Sequence, residues 1–189
     1  MSTAAGTERV RQYFLSCGAD HLISRMREFP ASSATVELAA QQLNCTPSMI
    51  AKSISFTLLK KKEGVNYQPL LIIASGDAKI DAKKYRAKFE RRPEMIKRED
   101  VDAAIGFAAG GVCPFGVNDG VRVYLDVSLR RFPMVYPAAG AANSVVLMSI
   151  EELEQYSHFV EWIDVCDGWT RDETANGETE ASPQQEQQQ

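Results

Sequence analysis

Two neighbouring segments of different hydrophobic pattern constrain the fold more than any other feature of this sequence. In residues 53–58, serine and threonine alternate with isoleucine, phenylalanine and leucine, the period-two pattern of a strand with one buried face. Residues 70–74 form an unbroken apolar run between Pro69 and Gly76, which is typical of a fully buried strand. The two segments therefore predict a β-sheet with a buried centre.

The remaining elements are read from apolar periodicity and turn residues. Further strands are expected over residues 121–126, 134–138, 144–148 and 160–165. Helices are expected over residues 8–15, 35–43, 81–89, 100–105 and 149–156, the last with a capping box from Ser149 to Glu152. A helical turn that begins at Thr46 and Pro47 is expected to end at Lys52. Because strands predominate and short helices interrupt them irregularly, we predict an α+β fold, a mixed, barrel-like β-sheet flanked by short helices.

Composition divides the chain of 189 residues into a folded body and a tail. The whole chain is 44% hydrophobic and 24% charged, which is typical of a globular protein. Residues 170–189 hold five acidic residues, one basic residue and only two apolar residues, so we expect a disordered, acidic and glutamine-rich tail. We expect an N-terminal helix and lead-in at residues 1–33 and a single folded domain at residues 34–169.

Cysteine and histidine usage argues against a metal site. The four cysteines lie far apart without a C-x-x-C pair, and the chain has only two histidines, His21 and His158. We therefore expect no metal, no cofactor and a reducing, cytoplasmic compartment. No apolar run reaches the roughly 18 residues that cross a bilayer, so no membrane segment is expected.

Basic residues concentrate in one segment. Residues 79–98 contain nine lysines and arginines against three acidic residues, and Lys60, Lys61 and Lys62 precede them. Such an excess can bind nucleic-acid phosphates, with Lys83, Lys84 and Arg86 as candidates, or it can be a solvated helix face.

Residues 106–116 are rich in glycine and also contain Cys113 and Pro114. Such a loop can hold backbone amides and carbonyls toward a small ligand, or it can be a structural turn. Its spacing is neither that of a dinucleotide-binding loop nor that of a P-loop. Cys113 can be a thiol nucleophile or a small buried residue, and we favour the latter because no histidine is close in sequence.

Two further residues are candidates for a site. Lys52 is the only charged residue between residues 38 and 59, so it can bind a phosphate or polarise a carbonyl, or its stem can carry the charge out to solvent. Asp126 ends a predicted strand, where a carboxylate can bind a ligand hydroxyl or cap a turn.

Six separated segments carry a family resemblance. They read ATVELAAQQL from Ala34, IAKSISF from Ile50, PLLIIASGD from Pro69, GGVCPFG from Gly110, YLD from Tyr124 and AAG from Ala138, with Gly106 and Phe107 before the fourth. In type, order and spacing they resemble the YbaK family of aminoacyl-tRNA deacylases, over roughly residues 34–165.

The resemblance implies a free-standing relative of the editing domain of bacterial prolyl-tRNA synthetase. Such proteins hydrolyse the ester between a wrong amino acid and the terminal adenosine of a tRNA, without a Cys or His catalytic triad. Lys52 then matches the functional lysine, which holds the terminal nucleotide or the substrate carbonyl. Gly110 and Pro114 match a G-x-x-x-P loop that positions the ester and the attacking water.

The resemblance also places substrate-binding residues, which are Gly111, Val112 and Cys113 within the loop, Asp126 as a recurrent acid, and Gly140 at the pocket edge. The leading hypothesis is a trans-editing hydrolase whose partners are aminoacyl-tRNA and an aminoacyl-tRNA synthetase or synthetase complex. The alternative is a non-catalytic tRNA-binding or synthetase-associated adaptor. At Cys113 relatives often carry a different small residue, and residues 141–144 differ from the more basic turn of some branches of the family. Both departures leave the amino acid open. A Lys52→Ala variant is expected to lose hydrolysis with little loss of stability.

Overall fold

A curled, mixed β-sheet lies at the centre of the computed structural model, which describes residues 3–58 and 68–170. The helices in these residues are α1 (Thr3–Ser16), α2 (Asp20–Ile23), α3 (Val36–Leu43), α4 (Ala82–Phe89), α5 (Val101–Ile105) and α6 (Ile150–Ser157). The strands are β1 (Met26–Glu28), β2 (Ile50–Thr57), β3 (Pro69–Ser75), β4 (Lys79–Ile80), β5 (Arg122–Asp126), β6 (Met134–Pro137), β7 (Ser144–Val146), β8 (Met148–Ser149), β9 (Trp162–Ile163) and β10 (Cys166–Asp167). Two 3₁₀ turns cover Pro47–Met49 and Val127–Arg131.

The main sheet has the strand order β8-β6-β2-β3-β5-β9. Its pairs β2–β3 and β6–β8 are antiparallel, whereas β2–β6, β3–β5 and β5–β9 are parallel. Two small antiparallel pairs, β1–β7 and β4–β10, lie beside it. The predicted α+β fold with a mixed, barrel-like sheet is therefore confirmed.

Both faces of β3 are covered by apolar side chains. Leu71 and Ile73 belong to the larger hydrophobic cluster, together with Val10 and Phe14 of α1. The alternate residues of β3 belong to a second cluster, which contains Tyr85 of α4. Residues 70–74 are fully buried, as the continuous apolar run predicts.

The structure corrects the expected path of the chain into β2. Pro47–Met49 is a 3₁₀ turn of three residues, and the Thr46 hydroxyl contacts that of Ser48 instead of capping the turn. The strand therefore begins at Ile50, and Lys52 lies inside it rather than at the end of a helix. The capping box between Ser149 and Glu152 is confirmed.

Two expectations concern residues that the structure does not describe. Lys60, Lys61 and Lys62 lie outside the described residues, as does the expected tail apart from Thr170. Within residues 3–58 and 68–170, no helix combines the length and apolarity that crossing a membrane requires.

A largely buried ion pair fixes the turn that follows β3. The Arg131 side chain is 4% exposed, and its Nη2 donates to the Asp77 carboxylate at 2.6 Å and to the Ser75 hydroxyl at 2.8 Å. Burial opposes ionisation of Asp77, but the hydrogen bonds from Arg131 and Ser75 outweigh it and leave the pKa of Asp77 below its ordinary value. The turn at residues 76–78 is thus fastened to the 3₁₀ turn that carries Arg131.

We predict that Arg131→Met lowers the free energy of unfolding at pH 7 by about 2–4 kcal/mol, because it leaves the Asp77 carboxylate without its counter-charge. Ionised Asp77 stabilises the fold above its unfolded-state pKa, and this contribution is lost as the pH falls through its lower folded-state pKa. The difference between wild type and variant should therefore narrow below about pH 4 in urea denaturation series.

The matched control for this prediction is Lys88→Met, which removes an exposed ion pair with Glu161. It should change the free energy of unfolding by less than about 0.5 kcal/mol. Equal destabilisation by the two variants would contradict a special role for Arg131.

Candidate functional site

A cavity of about 370 Å³ opens between β2, β6 and the glycine-rich loop of residues 106–116. Apolar residues and small polar residues form most of its wall. They are Ser33, Ala34, Thr35, Val36, Ala39, Ile50, Ala51, Ser53, Ile54, Ser55, Met95, Ile96, Val101, Ala109, Gly110, Val112, Tyr136, Ala138, Ser144 and Val145. Lys52 and Arg98 add two cationic residues to this wall. A concave, mostly apolar site with a few polar groups is the usual form of a small-ligand pocket.

The register of β2 against β3 decides which side chains face the larger hydrophobic cluster. Ser53 pairs with Ile73 and Ser55 with Leu71, so the two serines lie on the face of the sheet that carries this cluster. The Ser53 Oγ is buried without a hydrogen-bond partner. The fold therefore leaves the hydrogen-bonding capacity of this hydroxyl unused in the cavity wall.

The glycine loop begins where α5 ends. Gly110 has a φ of +99°, a left-handed conformation that glycine adopts without strain, and it lines the cavity. The neighbouring Gly111 lies so close to the backbone of Ala141 that a Cβ there would approach the Ala141 nitrogen to 2.7 Å. At Gly110 the loop thus presents backbone groups to the cavity, and Ala109 and Val112 flank it in the wall.

Lys52 also lines the cavity, but its side chain lies on the face of β2 opposite to that of Ser53 and Ser55. Its Nζ donates to the carbonyl oxygen of Gly76 at 2.8 Å and to that of Ala78. Burial lowers the pKa of the Lys52 ammonium, while Cys166 and Asp77 act in the opposite direction. Two of the three N–H donors hold the turn after β3, so one donor is left for a ligand.

The structure brings three of the residues predicted for the site together and places the others outside the wall. Lys52, Gly110 and Val112 line the cavity, whereas Gly111, Cys113, Pro114, Asp126 and Gly140 do not. Cys113 is fully buried, and burial raises the pKa of its thiol to about 12. At neutral pH this thiol is protonated, which agrees with a small buried residue rather than a nucleophile.

Asp126 has a structural position, in contrast to the substrate contact that the resemblance implies. It is fully buried, and its two carboxylate oxygens accept the backbone N–H groups of Ser128 and Val165, each at 3.0 Å. The carboxylate thus caps the turn after β5 and ties it to the segment after β9, which is the alternative left open for it.

The basic helix α4 has two different faces. Lys84 donates to the Asp164 carboxylate and to the Cys166 carbonyl, each at 2.8 Å, so it joins α4 to the segment after β9 rather than lying free for a phosphate. The bond to Asp164 raises the pKa of Lys84. Lys83 and Arg86 lie three residues apart on the exposed side of the helix.

Sequence reasoning missed Ser53 and Arg98 as cavity residues. Residues 94–96 hydrogen-bond to the edge of β2 through the backbone of Thr57 and Ser55, and this pairing brings Arg98 to the cavity. Arg98 belongs to the basic segment of residues 79–98, but its charge does not predict that residues 94–96 hydrogen-bond to β2. For Ser53, the alternating pattern predicts which face of the strand it lies on, but it does not predict that its hydroxyl lacks a hydrogen-bond partner.

The described residues contain no cluster of three or more histidine, cysteine, aspartate or glutamate side chains that could hold a metal ion. The cavity offers backbone groups, hydroxyl side chains and the two cations. Such groups bind and orient a polar ligand, and they can stabilise negative charge that develops on it.

Known proteins resemble this chain in both sequence and fold. Residues 31–156 match the aminoacyl-tRNA editing domain family. The uncharacterized protein YwhH of Bacillus subtilis (strain 168) is 46% identical over 142 residues, which are 75% of this chain and 87% of YwhH. A proline–tRNA ligase of Limosilactobacillus fermentum is 30% identical over 109 residues, which are 57% of this chain but 18% of the ligase.

A solved structure has a similar fold. A protein described as a candidate trans-editing enzyme for prolyl-tRNA synthetase superposes with a TM-score of 0.73 and 28% identity, covering 86% of this chain and 98% of that one. The curled mixed sheet, the cavity beside the glycine loop and the match over more than half of the sequence lead to one conclusion. This chain belongs to the aminoacyl-tRNA editing domain family.

Proposed function

We propose that this protein is a trans-editing hydrolase that deacylates mischarged aminoacyl-tRNA. The observation that carries the proposal is the cavity of about 370 Å³ between Lys52 and Gly110, in a chain that belongs to the editing domain family. The cavity has room for an aminoacyl group, and its loop wall supplies backbone groups at one side. The substrate is the ester between an amino acid and the terminal adenosine of a tRNA.

In the proposed reaction, the oxygen of a water molecule attacks the ester carbonyl carbon. The bond between this carbon and the ribose oxygen breaks, the ribose oxygen takes one proton of the water, and the amino acid leaves as a carboxylate while the second proton passes to solvent. An activated ester requires an oriented water and donors toward the developing oxyanion. Lys52 would use its remaining N–H donor for the carbonyl oxygen or the terminal nucleotide, and the backbone around Gly110 would hold the ester.

The wall of the cavity favours a small amino acid. Val36, Val101, Val112 and Val145 border it with branched apolar side chains, while Ser53 and Ser55 contribute hydroxyls. Each methylene that a pocket excludes or accepts is worth about 1–3 kcal/mol, so a pocket of this kind discriminates by size and tolerates several small side chains. We therefore propose a small or hydroxylated amino acid as the group that is removed.

A deacylation assay over tRNAs charged with different small amino acids tests the function. We expect the full-length protein to release at least one amino acid at least about 100-fold faster than buffer alone, because an oriented donor set contributes on this order. Release would be followed as loss of acid-precipitable labelled amino acid.

The same panel distinguishes the hydrolase from a non-catalytic adaptor. If tRNA binds but every ester decays at the rate seen in buffer, the hydrolase proposal is wrong and the adaptor is favoured. A correctly charged tRNA with a larger amino acid serves as the control substrate and should be cleaved more slowly.

We predict that Lys52→Ala lowers kcat/KM by about 100-fold, because a cationic donor beside the substrate is lost. The structure also changes the expectation of little effect on stability. The carbonyls of Gly76 and Ala78 lose their charged donor, and we expect a loss of about 1–3 kcal/mol in the free energy of unfolding. Kinetics at a temperature where circular dichroism shows a folded variant would measure the two effects separately.

The matched control is Lys79→Ala, which removes an exposed lysine three residues after Gly76. Both its stability and its kcat/KM should stay close to those of the wild type. Wild-type kcat/KM in a folded Lys52→Ala protein would show that Lys52 only holds the turn.

The exposed face of α4 is proposed to contact the tRNA backbone. We predict that the double variant Lys83→Gln/Arg86→Gln weakens binding of any tRNA and reduces the slope of log Kd against log salt concentration by about 1–2, because each phosphate contact contributes about 0.9. The preference among amino acids should not change, since phosphate contacts carry no information about the aminoacyl group.

Lys84→Gln is the control on the same helix, because Asp164 and Cys166 already bind its ammonium. It should leave the salt slope unchanged. If the slope is the same in the double variant and in the wild type, this face does not contact the tRNA backbone and is an ordinary solvated helix surface.

A further inference from the structure

The N-terminal helix α1 precedes residues 31–156, which carry the family match, yet it contacts the glycine loop directly. Arg9 Nε donates to the carbonyl oxygen of Gly116 at 2.6 Å, and Nη1 donates to that of Gly106 at 3.1 Å. Nη2 donates to the side-chain oxygen of Asn118 at 3.0 Å. One guanidinium therefore bonds to the first and the last residue of the loop.

The chemistry of arginine suits this bridge. The guanidinium is planar and presents its donors in a fixed fork, so two carbonyls bound to it are held at a set separation. Its carbon also lies 5.2 Å from the ring centroid of Phe107, which stacks the group against the loop. A lysine ammonium is a single point of charge on a flexible stem and cannot impose the same separation on two carbonyls.

Other residues of α1 pack against the end of the glycine loop and against the turn at Gly140. The ring of Phe14 lies 5.0 Å from that of Phe115, near the end of the loop. Gly6 packs directly on the turn at Gly140, where a Cβ on Gly6 would lie 1.9 Å from the Gly140 oxygen. Ser144 and Val145, which follow this turn, also line the cavity.

We propose that Arg9 is a positioning residue of the site, which holds the ends of the glycine loop together and so places Gly110 at the cavity. The proposal rests on the proposed deacylase function for its kinetic consequence. Its structural consequence, a loop fixed from α1, is independent of the substrate. Arg9 does not line the cavity, so it acts through the loop rather than on the ester.

Two variants test the proposal in the full-length protein. Arg9→Met removes the donors and keeps a long apolar stem, and Arg9→Lys keeps the charge without the fork. Hydrogen–deuterium exchange in residues 106–116 should become at least about tenfold faster in Arg9→Met, because the ends of the loop are no longer bound. If Arg9→Met fails to fold, the same comparison is made with Arg9→Lys, in which exchange should also rise.

Arg11→Met is the matched control, because Arg11 lies on the same helix and its guanidinium pairs with Glu28 at an exposed position. Exchange in residues 106–116 should stay at the wild-type rate in this variant. Unchanged exchange of the loop in both Arg9 variants, or equal acceleration in Arg11→Met, would overturn the proposal.

The kinetic measurement distinguishes positioning from simple loss of stability. On a substrate that the wild type cleaves, Arg9→Met should lower kcat about tenfold or more and leave KM within about twofold, because misplacement of orienting groups acts mainly in the transition state. Arg9→Lys should restore only part of kcat. If kcat is unchanged while the loop exchanges faster, the loop does not need Arg9 for chemistry and the positioning role is wrong. If the wild type cleaves no ester, the deacylase proposal fails while the exchange experiment still decides whether Arg9 holds the loop.

Discussion

The pairing of β2 with β3 is the constraint on which the rest of the molecule depends. β2 alternates serine and threonine with apolar residues, so a slip of one residue against β3 would turn Ile54 and Phe56 to the face that now carries Ser53 and Ser55. The observed register sets Lys52 opposite Ala74 and Ser53 opposite Ile73. A shift of one residue would exchange the faces of these two side chains, since successive residues of a strand point to opposite sides. The register of this strand pair thus decides which side chain of β2 faces the larger hydrophobic cluster and which faces the turn after β3.

The Lys52 side chain has a structural role, beside the chemical role that we propose for it. Its ammonium lies beside two carbonyl oxygens, while Arg131 holds the same turn through Asp77. Burial disfavours the charged lysine and lowers its pKa, and the carbonyl acceptors together with the nearby carboxylate offset part of this cost. The result is a cation fixed in position before any substrate arrives. Preorganised charge of this kind is effective in catalysis because no reorganisation is required during the reaction.

The sequence predicted the elements that repeat a pattern and missed those that depend on distant partners. The buried run of β3, the alternation of β2 and the capping box of α6 are local signals, and all three are present. β4 and β10 have two residues each, too short for any periodicity, and pair with each other across the chain. Lys84 is a phosphate candidate by charge, but in the fold its ammonium is bound by Asp164, which lies 80 residues away along the chain. No local pattern contains information of this kind.

The expected boundary at residue 33 separates helix α1 from the rest of the domain, but α1 packs against the central sheet. Val10 and Phe14 of α1 are fully buried in the same cluster as Leu71 and Ile73 of β3, and burying a side chain of this size contributes about 1.5–3 kcal/mol. The same helix contacts the glycine loop through Arg9 and the turn at Gly140 through Gly6. Because interiors are close-packed and transmit strain, a shift of α1 would move the glycine loop and the turn at Gly140 together. The shape of the cavity is therefore set in part by a helix that lies outside the residues matching the family.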